Sequence, residues 1–308
     1  MKPRKTLEYK PGSEGHKRRP DIIVNLAAEA DGQLLSTLEQ LMADRKRTTV
    51  KDFLRLGQVM LNGQVTTQFD TPVKAGDTLS VNTSRQWQVF HNPRLLIVYE
   101  DDDVIVADKG YGLLSMGNDR VKEGTAYSLL RDYLKRKDPR NKLFIVHRLD
   151  QHTSGLMMFA KTVEAKETMQ HNWNNMVIDR RYAAVVEGVP EQDSGVIRSY
   201  LAENTRHIVY STTDPEKGKL AVTNWKVVRS RNGYSLLDVS LDTGRKNQIR
   251  VHLSEMGHPI AGDRKYGAHS SPMHRLALHA RTLRFVHPRT KADMNFTLPL
   301  PASFTRLV

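Results

Sequence analysis

The spacing of apolar residues changes several times along the chain, and each change marks an element. Leu34, Leu35, Leu38 and Leu41 recur three or four residues apart, the signature of one buried helix face. A second helical stretch follows, with Val50, Phe53 and Leu54 apolar and Lys46, Arg47, Lys51 and Arg55 on its polar side; it stops at Gly57. GQVMLNGQV then alternates as a strand does, interrupted by Asn62-Gly63, a dipeptide suited to a tight hairpin turn because both residues tolerate positive φ. Gly76-Asp77 precedes another short strand at 78–81. Residues 31–83 therefore read as a small α+β unit, and 84–94 (TSRQWQVFHNP) as a linker. From 95 to 308 strands dominate. LLIVYE and DVIVADK are joined by an acidic turn, and YSLLDVSL and MNFTLPL alternate as half-buried strands. Helices are expected at about 125–136 and 163–176, the second on Ala165, Met169, Trp173 and Met176. Strands outnumber helices without alternating regularly with them. That predicts an α+β domain around a mostly antiparallel or mixed sheet, not a doubly wound parallel one.

Charge adds a partner to this picture. The net charge is +13 over 308 residues, an excess that attracts polyanions, nucleic acid above all. Residues 1–20 carry seven Lys/Arg against two Glu and almost nothing apolar, so a disordered basic tail is expected, either following phosphates or simply solvated. No cysteine is present, which excludes disulfides and thiolate-held zinc or iron–sulfur centres and fits a reducing cytoplasm. No apolar run approaches the roughly 18 residues of a membrane span, and the N-terminal stretch lacks the apolar core of a secretory signal.

Candidate chemistry concentrates at 146–162, VHRLDQHTSGLMMFAKT. A polar segment holding His147, Arg148, Asp150, His152, Thr153 and Ser154 interrupts two apolar strands, and polar groups so placed must be hydrogen-bonded or functional. By themselves these residues fit a satisfied structural turn. The string as a whole resembles the catalytic motif of the RluA-type family of pseudouridine synthases, His-Arg-Leu-Asp-x-x-Thr-Ser-Gly-Leu, at every specified position. The resemblance runs from Glu100 to Pro301 through YEDDDVIVADKGYGLLSM, RRYAAVVEG, TGRKNQIRVHLSEMGHPIAGDRKYG and LALHARTLRFVHP. It departs from the family pattern at Asn247, where a His is usual, and at Gly110, where a Pro usually follows Lys109. Nearer the N-terminus, RTTVKDFLRLGQVMLNGQV with AGDTLSV resembles the S-four-type RNA-binding module first described in a small-subunit ribosomal protein. Gly32-Gln33-Leu34 stands there in place of the usual Arg-Leu-Asp.

The resemblance implies a pseudouridine synthase fold and an isomerase that turns uridine in RNA into pseudouridine without cofactor or metal. It makes Asp150 the catalytic carboxylate, Tyr182 a residue against the uracil, and Arg250 the cation paired with the aspartate. The plain alternative for Tyr182 is a core tyrosine, and for Arg250 in QIRVHL an ion pair inside a sheet. Arg47, Lys51 and Arg55 share one helix face and can bridge successive phosphates; a solvated face is the alternative. Arg148 is a candidate RNA contact beside Asp150, and His147 a turn-stabilising residue. Gly262-Asp263 with Tyr266-Gly267 reads as a turn, and Met157-Met158 as core. The family members with this small domain point to large-subunit ribosomal RNA, with transfer RNA the alternative substrate. A non-catalytic, ribosome-associated RNA-binding protein would explain the charge and residues 31–83 but not the three motif positions. A zinc deaminase needs Cys ligands, which are absent, and no G-x-G-x-x-G loop of a nucleotide-binding methyltransferase is present.

Overall fold

The computed structural model describes residues 5–7, 22–84, 86–87, 90–117 and 120–308. Two compact units divide after residue 89. In the first, helices Leu34–Leu41 and Arg47–Arg55 bury Leu34, Leu38, Val50, Phe53 and Leu54 against a small sheet containing Val59, Leu79 and Val81. Strands Val59–Leu61 and Gln64–Val65 form the expected hairpin, with Asn62 at φ 49° and Gly63 at φ 79°. The unit begins earlier than its sequence pattern indicates. Ile22–Ala27 pairs antiparallel with Thr78–Asn82, and its single buried pair, Val24 and Leu26, is too short a signal to stand out. Part of the presumed linker also belongs to it, because the Trp87 indole N–H donates to Gln58 O at 2.9 Å. The disordered tail expected at 1–20 lies outside the described residues except for Lys5–Leu7, which form a strand antiparallel to Ile22–Ala27 instead.

The second unit is α+β around an eleven-stranded mixed sheet. Its path runs Val209–Thr212, Ser194–Glu203, Lys219–Arg231, Tyr234–Leu241, Val177–Glu187, Leu278–Val286, Ser154–Ala160, Val104–Lys109 and Leu95–Glu100. Phe144–Ile145 and Asp293–Thr297 pair alongside it. Among the described pairings only Ser154–Ala160 with Leu278–Val286 is parallel. That pairing is short, Ser154 to His279 and Gly155 to Ala280, and it requires a glycine. A Cβ at Gly155, which has φ +112°, would lie 2.1 Å from Ala280 O.

Ser154–Ala160 is buried throughout, and its period of two sends alternate side chains to opposite faces. Met157 and Phe159 join Leu130, Tyr133 and Leu134 of helix Ala126–Lys137. Leu156 and Met158 join Met169, Leu283 and Phe285 on the other face. The Met157-Met158 pair is core, as its pattern indicates. The helical stretch expected at 163–176 breaks at Asn172 into Val163–His171 and Trp173–Met176. QIRVHL is helical rather than extended: Gln248–Glu255 packs Ile249 and Leu253 onto the sheet. Its alternating branched residues favour a strand locally, and burial of one helix face overrides that preference. No helix among the described residues is long and apolar enough to cross a membrane.

Candidate active site

Asp150 lies in the loop between Phe144–Ile145 and Ser154–Ala160, and the loop is pinned from one side by segment 109–115. Ser115 Oγ donates to Leu149 O at 2.6 Å and accepts from Leu149 N at 3.1 Å. Lys109 Nζ donates to Gln151 O at 3.1 Å, and also to Gly110 O and Leu113 O at 3.1 and 2.8 Å. Thr153 N closes a turn onto Asp150 O at 3.1 Å. Lys109 is fully buried, and that burial draws its amine down to about 7; Asp150 opposes the shift and Arg275 reinforces it.

Facing the loop is helix Gln248–Glu255, which carries Arg250. Its Nη1 stands 3.8 Å from Asp150 Oδ2, an ion pair longer than a hydrogen bond. The guanidinium is held elsewhere. Nε and Nη2 donate to the two oxygens of Asp263 at 2.7 Å each, a bidentate pair, and Nη1 donates to Asn247 Oδ1 at 2.9 Å. Tyr266 packs beneath, its ring centroid 4.9 Å from the guanidinium carbon. Asn247 is the left-handed N-cap of this helix, at φ 54°, and its amide donates to Tyr266 Oη at 3.0 Å. Burial works against the charge on Arg250, but the hydrogen bonds and charge of Asp263, with Asp150 adding to them, outweigh it and raise the group above its ordinary value. Arg250 is thus aimed at Asp150 by a clamp whose anchor is Asp263.

Tyr182 reaches the same cleft from strand Val177–Glu187. A register shift between Arg181 and Tyr182, against Leu278–Val286, breaks the ladder at that point, a device that re-aims side chains. Asp150, Tyr182, Arg250, Arg148, Thr153 and Arg245 all line this cleft. Burial raises the Tyr182 hydroxyl above its ordinary value; Arg180 opposes this and Asp150 reinforces it, so the residue is a neutral phenol at physiological pH. Arg148 is exposed at the cleft. His147 supports the loop, as its turn reading implies. Its Nε2 accepts from Met158 N at 2.9 Å and its ring packs on Trp173, while burial and then Arg180 draw it down to about 3. It is therefore a neutral acceptor.

The structure brings Asp150, Tyr182, Arg250 and Arg148 to one cleft. Arg47, Lys51 and Arg55 belong to the other unit, on the exposed side of helix Arg47–Arg55. There Arg47 Nε donates to Glu39 at 2.8 Å and Arg55 pairs with Asp52 at 3.0 Å.

Sequence reasoning misses Asp263, which looks like part of a plain turn, and Lys109, which reads as one position in a longer motif. No local signal singles out either one: Asp263 is followed by Arg264 and Lys265, and Lys109 is preceded by Asp108. Among the described residues one group has metal-ligand proximity, Asp101, Asp103 and His287. Its atoms are engaged with each other and with protein cations. His287 Nε2 meets Asp101 at 2.9 Å and Arg289 meets Asp103 at 2.6 Å.

The chain is similar to known proteins along most of its length. Residues 103–255 match the family described as RNA pseudouridylate synthase. An uncharacterized RNA pseudouridine synthase of Bacillus subtilis is 35% identical over 272 residues, 86% of this chain and 89% of that protein. Ribosomal large subunit pseudouridine synthase D of Vibrio parahaemolyticus is 32% identical over 293 residues, covering 88% of this chain and 89% of its own. Among solved structures, human RNA pseudouridylate synthase domain containing 4 superposes with a TM-score of 0.57 at 25% identity, over 69% of this chain and 92% of that one.

Proposed function

The chain belongs to the RNA pseudouridylate synthase family, isomerases of uridine in RNA, and from that premise we propose that Asp150 is the carboxylate that carries the reaction. The observation that carries the proposal is the position of its oxygen, in an open cleft, 3.8 Å from a guanidinium held by other partners. A cation locked to Asp263 and Asn247 stands beside the Asp150 oxygen without capping it by a close hydrogen bond, which leaves that oxygen available to a substrate.

The reaction breaks the bond from ribose C1′ to uracil N1, turns the base, and joins C1′ to C5. C5 loses its proton and N1 gains one. Electrons are conserved, so the chemistry calls for no redox partner. An ionised carboxylate assists at C1′, at the ribose 2′ proton or at the uracil ring, and each route uses the same oxygen facing Arg250. The target base must leave its stack to enter the cleft, at a cost of a few kcal/mol, and phosphate contacts offset that cost. Exposed Arg148 and Arg245 at the cleft supply positive charge for those contacts. Tyr182 forms a neutral wall for the uracil and offers a hydroxyl beside it.

On the first unit, Arg47, Lys51 and Arg55 contribute affinity through the phosphate backbone. The surface ion pairs of Arg47 with Glu39 and of Arg55 with Asp52 are worth at most about 1 kcal/mol, so phosphates can displace them. The names of relatives such as the Vibrio protein favour large-subunit ribosomal RNA as the substrate. Mapping pseudouridines in cellular RNA with the parent chain and with Asp150→Ala tests the proposal. Specific sites should vanish with the variant while RNA binding persists; sites that remain would refute it.

A further inference from the structure

A second concavity of the same unit, about 460 Å³, lies outside the cleft just described and has no part in the chemistry assigned to Asp150. It is lined by Met116, Lys122, Tyr127, Phe144, Ile145 and Lys166 among others. Resting on the reading of this chain as an RNA isomerase, we propose that this groove holds an unstacked nucleotide of the RNA strand, a few nucleotides from the target uridine. Its base would lie against Phe144 and Tyr127, and its phosphates against Lys122 and Lys166.

Several observations converge on that occupant. The volume falls within the roughly 300–1,000 Å³ of small-ligand pockets. The walls combine aromatic and thioether side chains with two amines, the pairing used by single-strand binders, in which bases stack on rings and cations follow the backbone. Phe144 and Tyr127 are only half-buried, so ring surface is open to the groove. Lys166 Nζ sits 5.8 Å from the Phe144 ring centroid, at the outer limit of a cation–π contact, and 3.9 Å from Glu167, so neither contact fixes it. The other acid beside the groove, Glu123, is paired with Arg131 at 3.0 Å. Lys122 is exposed at the groove, and the net charge of +13 favours an anionic occupant.

The groove is also mechanically continuous with the catalytic loop. Met116 follows Ser115, whose hydroxyl holds both the N–H and the carbonyl of Leu149, next to Asp150. Phe144 lies in the strand that leads into that loop, and its six-residue separation from Asp150 spans at most about 20 Å. A strand running from the cleft reaches the groove within a few nucleotides.

The test measures affinity of the full chain for a labelled oligouridylate across a salt series, with a fully paired RNA duplex as control. The variants are Lys122→Glu with Lys166→Glu, and Phe144→Leu, which keeps apolar bulk without the ring. Loss of two phosphate contacts should flatten the slope of log affinity against log salt by about 1.4, at 0.7 per contact on single strands. Loss of the stacking ring should weaken oligouridylate binding about fivefold or more and leave the duplex unaffected. Oligouridylate carrying 4-thiouridine should crosslink to the peptides containing Tyr127 and Phe144. Unchanged affinity and slope, with no crosslink at those peptides, would overturn the groove while leaving the role of Asp150 standing. Binding needs no isomerisation, so loss of the activity reading would show separately, as no pseudouridine formed by the parent chain.

Discussion

The cations of the small unit and Arg250 beside Asp150 are held in opposite ways. Arg47 and Arg55 are 70% exposed at their side chains and touch single acids on the same surface, and Lys51 is likewise exposed. Arg250 is 11% exposed, fixed by three close hydrogen bonds to Asp263 and Asn247, and underlain by an aromatic ring. Gripping a flexible phosphate backbone needs charge density and tolerates mobile side chains. Stabilising one carboxylate against a reacting base needs a charge whose position is set before the substrate arrives. The first kind of site can be read from helical spacing, whereas the second depends on residues far apart in the chain.

The comparison breaks most visibly if the clamp is removed. Asp263→Ala strands a buried guanidinium, which should then close onto Asp150 and occupy the oxygen the reaction needs. Turnover should fall by about 10²- to 10³-fold, the usual scale for losing one preorganised electrostatic partner. Stability should also fall, by less than the about 3–5 kcal/mol of a fully uncompensated buried charge, because Asp150 takes up part of the pairing. Single-turnover rates and denaturant melts check both, and a variant with parent turnover would show that the clamp is ornamental.

Reversing Arg47, Lys51 and Arg55 together to Glu should act on the other side of the comparison. RNA affinity should drop about 10- to 100-fold near physiological salt, with the salt slope reduced by about 2.7 on duplex RNA if each cation meets one phosphate. Turnover at saturating RNA should not change, and a fall in turnover would mean that the small unit does more than bind.

Lys109 offers a sharper test of burial as the cause of special behaviour. Its folded-state value of about 7 lies below the 10.5 of the unfolded chain, so between those values the unfolded state binds more protons and stability rises with pH. Its three carbonyl partners oppose deprotonation, because a neutral amine donates only two hydrogens. With the folded-state value at about 7, the advantage of the parent over Lys109→Met should be greater at pH 9 than at pH 7, by about 2 kcal/mol, read from paired melts. No pH dependence of that difference would mean the amine stays charged in its carbonyl cage. The smallest effect belongs to Arg55→Ala, which removes an exposed pair with Asp52 and should shift stability by less than about 0.5 kcal/mol.

Much of the fold and the site is legible in the amino-acid sequence, for reasons that differ between residues. The Asn62-Gly63 hairpin and helix Arg47–Arg55 follow from local propensity, so residues 58–65 and 47–55 declare themselves. Asp150, Tyr182 and Arg250 stand out because each lies in a contiguous string. Asp263 does not, because its importance comes from a bidentate contact with a residue thirteen positions nearer the N-terminus, and nothing local separates it from a turn aspartate. QIRVHL reads as extended because Ile249 and Val251 alternate with polar residues, while the choice of helix is made by the left-handed cap at Asn247 and the core beneath Ile249 and Leu253. Ile22–Ala27 leaves little trace in the pattern because a strand with so few buried side chains is defined by its hydrogen-bonded neighbours.

The charge on Asp150, and not merely a side chain of its shape, drives the rearrangement in this account. Asp150→Asn keeps the shape and removes the charge, and RNA tritiated at uracil C5 reports the reaction directly, because that tritium leaves when C5 joins the ribose. The expected result is no release above background, with RNA affinity within about threefold of the parent because phosphate contacts are untouched. Tritium release by Asp150→Asn at the parent rate would contradict it.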